Sequence, residues 1–129
     1  MGSFNVTFQI GDPEGRRWRD LDALVDTGAS YSWVPRNVLA DLGVGPKEQR
    51  EFVIANGDVI QRDIAETQLR YDGREVTTIV VFGDDGSTPL LGAYSLEGLS
   101  MAPDPMNRIL IPVRPYAMGG FTPSTIRTN

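Results

Sequence analysis

Asp26-Thr27-Gly28-Ala29-Ser30 follows directly on the apolar pair Leu24-Val25, which sets a carboxylate in a tight turn at the end of a buried strand. The motif occurs once in the 129 residues. A carboxylate so placed can activate water if it has a twin: two such groups about 3 Å apart cannot both ionise cheaply, so they share one proton and act as base and acid. One chain supplies one group, so this chemistry needs a second copy, with Asp26 on a twofold axis. The composition removes the competing routes. With no Cys and no His, the chain can build no thiol nucleophile, no Ser-His-Asp triad and no zinc site of the usual His-rich kind, and neither metal nor cofactor is expected.

The elements that must position Asp26 are short and extended. A hydrophobic content of 40% with 14 Gly and 9 Pro points to many strands joined by turns, an all-β domain. The net charge of −5, from 17 acidic and 12 basic residues without a basic run, leaves no electrostatic footprint for nucleic acid or an anionic membrane. No apolar run reaches the roughly 18 residues of a membrane span, and no charged start precedes an apolar stretch as in a signal peptide. The covered chain therefore reads as cytoplasmic or otherwise soluble, an anchor or signal in a longer natural chain aside.

Phe4, Val6, Phe8 and Ile10 alternate with polar residues, the pattern of a strand with one buried face, and Gly11 to Gly15 make a loop. Trp18 to Val25 forms a second strand leading into the Asp26 turn. Ser32 to Pro35 is extended, and Asn37 to Leu42 makes one or two helical turns stopped by Gly43. Glu51 to Ile60 predicts a projecting hairpin in which Asn56-Gly57 forms a type I′ turn. Ile64 to Tyr71 and Glu75 to Phe82 predict a second hairpin about Asp72-Gly73. After Pro89-Leu90-Leu91-Gly92, a short helix is expected over Tyr94 to Leu99. A turn at Pro103, Pro105 and Asn107 precedes a last strand, Arg108 to Val113, in which Pro112 fits only an edge or a strand end. One domain is expected over 1–113. Residues 114–129 read as a polar Pro, Gly and Thr-rich tail, poorly ordered or dependent on a partner.

Taken in order over about residues 4–113, the Leu24 to Ser30 motif, the Asn56-Gly57 hairpin and Leu90-Leu91-Gly92 resemble the retropepsin-like aspartic proteases. These are the single-domain, homodimeric family of retroviral proteases and their cellular and bacterial relatives. At 129 residues the chain has no room for a second lobe with a second Asp. The resemblance implies a closed β-barrel with one short helix in the C-terminal half, half a site per chain, and a homodimer. Asp26 would be the catalytic carboxylate, Thr27 would reach across the dimer axis to the partner's backbone, and Gly28 would offer its carbonyl to substrate. Ala29 and Ser30, with Ile54, Ala55, Asn56, Gly57 and Asp58 of a flap, would contact an extended polypeptide substrate. Leu90, Leu91 and Gly92 would support the Asp26 loop from below, and Ile109 to Val113 would join the dimer sheet.

Several positions depart from the family pattern. Pepsin-like enzymes carry Ser or Thr where Ala29 stands, and a methyl group donates no hydrogen bond to the carboxylate, so a pH optimum nearer neutrality is expected. Retroviral enzymes pair an acidic residue at the Ser30 position with an Arg at the Ala93 position; here both are absent together, which avoids stranding one partly buried charge. Asn56-Gly57-Asp58 replaces a glycine-rich flap tip. Trp33 fits either a subsite or the core, and Val53, Ile54, Val59 and Ile60 fit either a cleft or the packing beneath it. The function implied is an aspartic endopeptidase. The alternative is a catalytically weak module of the same fold that dimerises or binds peptides.

Overall fold

The computed structural model describes residues 3–114, so the expected tail lies outside it apart from Arg114. The chain runs β1 (Asn5–Gly11), β2 (Trp18–Val25), β3 (Ser32–Pro35), α1 (Arg36–Asp41), β4 (Glu48–Val53), β5 (Val59–Tyr71), β6 (Arg74–Gly83), β7 (Leu90–Leu91), α2 (Ala93–Leu99), β8 (Met101–Asp104) and β9 (Ile109–Pro112). The strand period of two in β1 turns Phe8 and Ile10 into the core and leaves Asn5 and Thr7 outside. β1 and β2 form an antiparallel hairpin from Asn5↔Leu24 to Gly11↔Trp18. Asp12 organises its loop by accepting the Arg16 and Arg17 N–H groups at 2.7 and 2.9 Å.

Seven strands form one sheet in the order β1-β2-β7-β3-β6-β5-β4, and β1 also pairs with β5 through Gln9↔Arg70 and Ile10↔Leu69. The sheet thus returns on itself, leaving β4 as a free edge. Inside lies a core that includes Phe8, Ile10, Val34, Leu39, Leu69, Val80, Leu91 and Leu99. The two helices lie on this β scaffold; α1 borrows an N-terminal acceptor from far along the chain, Asn37 N–H reaching Asp85 Oδ1 at 2.9 Å. Among the described residues, no helix is long and apolar enough to cross a membrane.

Three local expectations change. The two predicted hairpins share one unbroken 13-residue strand, β5, whose polar stretch Gln61-Arg62-Asp63 masks its continuity. Asp63 is held there by Arg36 at 2.8 Å, and Arg62 reaches Asp84 at 3.6 Å, so charged side chains lie along the strand without breaking it. The Asn56-Gly57 turn is not type I′, since Gly57 has φ 91° while Asn56 is not at positive φ. Gly57 N–H bonds Ile54 O at 2.8 Å and Ile54 N–H bonds Asp58 O at 2.9 Å, a three-residue loop closed by a left-handed glycine. Both central residues are at positive φ in the other turn, Asp72 (50°) and Gly73 (80°). Finally, Met101–Asp104 is a strand that Pro103 conceals, paired with β9 in a separate two-stranded sheet where both strands are edges.

Candidate active site

Two parallel β-bridges deliver Asp26. Leu24 and Val25 at the end of β2 lie beside Leu90 and Leu91 of β7, Asp26 N–H bonds Leu91 O at 3.0 Å, and Val25 N–H bonds Phe4 O at 2.9 Å. Past the strand the chain turns at once. Ala29 N–H bonds Asp26 O at 3.1 Å, and Gly28 N–H donates to Asp26 Oδ1 at 3.0 Å, which orients the carboxyl while the residue stays half-buried.

The first turn of α2 holds this loop from the other side. Ala93 N–H bonds Ala29 O and Tyr94 N–H bonds Ser30 O, both at 2.9 Å. That approach demands glycine at 92, where a β-carbon would stand 2.5 Å from Tyr31 O and 2.9 Å from Ala29 O. Gly92 N–H donates to Ser32 Oγ at 3.0 Å, Ser32 Oγ lies 2.7 Å from Ser95 Oγ, and Ser95 Oγ lies 2.6 Å from Thr78 Oγ1. All three hydroxyls are buried, so each needs the others. Sequence reasoning passed over this chain. Its one local signal was Ser95, a polar residue four before Leu99 and hence on the apolar face of α2.

An open cleft of about 720 Å³ lies above the loop. Asp26, Gly28, Ala29, Ser30, Tyr31 and Trp33 line one side, Glu51, Phe52, Val53, Ile54 and Ala55 the other, and Leu90 completes it. The β4 hairpin and the Asp26 motif, about thirty residues apart in the chain, thus face a common space. Asn56, Gly57 and Asp58 are not part of this lining. They form the exposed tip, where Asn56 Oδ1 accepts Asp58 N–H at 2.8 Å and Asn56 Nδ2 reaches Asp58 Oδ2 at 3.0 Å. Of the four apolar hairpin residues, Val53 and Ile54 line the cleft and Val59 and Ile60 do not. Leu91 is fully buried under the loop, whereas Leu90 reaches the cleft. Tyr31 and Phe52 were not singled out from the sequence, and both belong to the cleft wall.

Thr27 faces elsewhere. A second hollow of about 220 Å³ on the far side of Asp26 is lined by Ser3, Phe4, Val25, Asp26, Thr27, Pro103 and Pro105. Asp26 is the one residue common to both spaces.

Solved structures share this architecture. The simian foamy virus (mac) protease in solution is 22% identical with a TM-score of 0.52, covering 72% of this chain and 91% of that one. A retropepsin-like aspartic protease from Rickettsia conorii is 20% identical with a TM-score of 0.53, covering 80% and 75%. At such identities the likeness is one of fold. Among curated proteins the chain is similar to the pyruvate dehydrogenase E1 component subunit beta of Staphylococcus aureus, 36% identical over 81 residues, or 60% of this chain and 25% of that subunit. The chain spans only a quarter of that relative's length, and no activity is carried over from it. Over residues 18–98, from the start of β2 into α2, the sequence matches the family described as gag-polyprotein putative aspartyl protease, and the chain belongs to that family, with the fold of the retropepsin-like aspartic proteases.

Proposed function

We propose that the protein is a homodimeric aspartic endopeptidase in which the Asp26 carboxylates of two copies hold and activate one water. The observation that carries this reading is the position of Asp26 between two hollows, one of about 720 Å³ beneath the β4 hairpin and the other lined by Thr27. The ionised carboxyl takes a proton from the water as its oxygen adds to the scissile carbonyl carbon, and the protonated one gives its proton to the carbonyl oxygen. The tetrahedral adduct then collapses, the C–N bond breaks, and a carboxyl proton passes to the departing amine. Neither a covalent intermediate nor a metal enters these steps.

The substrate lies extended between the Asp26 loop and the hairpin, with Gly28, Ala29 and Ser30 on one side and Ile54 and Ala55 on the other. Ile54 has its amide engaged by Asp58 O, so it presents a side chain; the Gly57 and Asp58 N–H groups are taken by Ile54 O and Asn56 Oδ1, which leaves the Ala55 and Asn56 N–H groups of the tip to meet the peptide. A second copy covers Thr27 and the exposed side chains of β9. Ile109 and Ile111 share one face of that strand and are exposed, as is Val113 just past its end, while Leu110 on the other face is buried. Such an apolar edge favours pairing with another chain.

The test is cleavage of a denatured protein or peptide library by the wild type and by Asp26→Asn, with and without a statine-type inhibitor. Cleavage is expected only from uninhibited wild type, with a loss of about 10³-fold or more in the variant. Sedimentation over a concentration series should show activity rising with the dimer, because a monomer has half a site. Tight peptide binding that survives Asp26→Asn with no cleavage would replace this reading with a peptide-binding module.

A further inference from the structure

Three residues that the hydrolytic mechanism leaves unused tie the base of the hairpin to the Asp26 loop. Arg50 and Phe52 are two apart on β4 and share one face of the strand, the face turned to Tyr31. Arg50 Nη1 donates to Tyr31 Oη at 3.0 Å, and its guanidinium carbon lies 5.7 Å from the centre of the Tyr31 ring. Glu48, one step further along that face, takes Arg50 Nη2 at 2.6 Å and fixes the fork. Phe52 meets Tyr31 edge-on at 6.3 Å and Trp33 at 5.6 Å. Tyr31 in turn packs edge-on against Tyr94 of α2 at 5.9 Å, so the contact runs from the hairpin into the body of the fold.

Beyond Phe52 these ties stop. Val53 is 74% exposed, and the hydrogen bonds of Ile54, Asn56, Gly57 and Asp58 stay within the hairpin. The Arg50 to Tyr31 bridge also stands between two spaces, since Tyr31 lines the 720 Å³ cleft and Arg50 lines a separate hollow of about 80 Å³. The bridge therefore bounds the cleft beside Tyr31, and Phe52 packs edge-on against Trp33 in its wall.

We propose that Tyr31, Arg50 and Phe52 form a latch that fixes the height of the cleft beside Tyr31 and so selects the size of the substrate side chain lying against Trp33. The hairpin then opens from Val53 onward rather than from the start of β4. The size selection rests on the endopeptidase reading of the cleft; the latch itself does not.

Tyr31→Phe removes one hydroxyl and keeps the ring, Arg50→Lys keeps a charged donor, and Phe52→Leu shortens the side chain in the wall. Amide hydrogen exchange on the full chain is expected to accelerate about tenfold over 48–52 in Tyr31→Phe, the effect of one lost charge-assisted hydrogen bond, with 53–58 and 64–82 unchanged. Arg50→Lys should largely keep the wild-type rate. Phe52→Leu should shift the relative affinity for two statine-type peptides, differing only in a Leu or a Trp side chain, about tenfold towards Trp. Unchanged exchange in Tyr31→Phe or a uniform acceleration along the whole chain would overturn the latch, and an unaltered Leu to Trp ratio in Phe52→Leu would overturn the size selection. If neither the wild type nor any variant cleaves peptides while exchange and affinity respond as stated, the endopeptidase reading fails and the latch stands.

Discussion

A methyl group on residue 92 would meet backbone on two sides, Tyr31 O at 2.5 Å and Ala29 O at 2.9 Å, with no flexible side chain to give way. Gly92→Ala is therefore expected to cost about 3 kcal/mol or more, the upper range for overpacking, and to abolish any activity with it. Gly45, whose added methyl would touch nothing within 4 Å, is the control: Gly45→Ala should change stability by less than about 0.5 kcal/mol. Urea unfolding of the two variants measures the difference, and equal stabilities would show that α2 can retreat from the loop. The residue scale is also where the sequence was most and least legible. Asp26, Gly28 and the Leu90-Leu91-Gly92 segment are local words whose order can be read along the chain. Ser32 and Ser95 are 63 positions apart and meet only once β3 and α2 are packed, so neither residue announces the hydroxyl chain by itself. Tyr31 is similarly silent in sequence, because its partners Arg50 and Phe52 come from β4 and Tyr94 from α2, two distant places in the chain.

The two hairpins flanking β5 each carry a residue followed by glycine, yet their backbones differ. Asp72 and Gly73 are both left-handed, whereas in the other turn only Gly57 is, so Asn56 has a conformation open to any residue. Opposite responses to glycine follow. Asn56→Gly should destabilise by about 1 kcal/mol, since it adds freedom to the unfolded chain and removes the side-chain bonds to Asp58. Asp72→Gly removes a strained left-handed residue at a similar entropic cost and should leave stability within about 0.5 kcal/mol. Thermal unfolding of both variants decides; equal losses would put Asn56 at positive φ after all. Strand positions were legible where burial alternates, as in β1 and β2. They were not where a proline stands in a two-stranded edge sheet, as in β8, or where ion pairs carry a polar stretch through a strand, as in β5. Periodicity records burial, and neither of those segments alternates cleanly between buried and exposed.

Three carboxyls make the whole molecule sensitive to acid. The Arg17 backbone N–H holds Asp12 below the usual carboxylate range, the Arg36 guanidinium does the same for Asp63, and the Asn107 side-chain amide does so for Asp104. A depressed folded pKa means stability that is fully present above the unfolded value, near 3.9, and lost as pH falls through the folded one. The thermal midpoint should therefore be nearly flat from about pH 5 to 8 and fall steadily below about pH 4. Asp104 links this to assembly. It accepts the Met106 and Asn107 N–H groups at 3.2 and 3.3 Å and the Asn107 Nδ2 at 2.8 Å, which shapes the turn between β8 and β9. Pro103 in β8 and Pro105 on that turn wall the hollow where Asp26 and Thr27 emerge, the surface assigned above to a second copy. Asp104→Ala should then weaken self-association by about tenfold, the order of one or two lost hydrogen bonds to a charged group, and shift the monomer's own unfolding much less. Sedimentation of the variant at pH 7, beside wild type at pH 7 and at a pH below about 3, where a depressed carboxyl takes up its proton, separates the two effects. Dissociation of wild type on acidification, matched by the variant at neutral pH, places the acid limit of any activity at the dimer. Dimers of equal strength in all three samples would place it in the fold of the single chain.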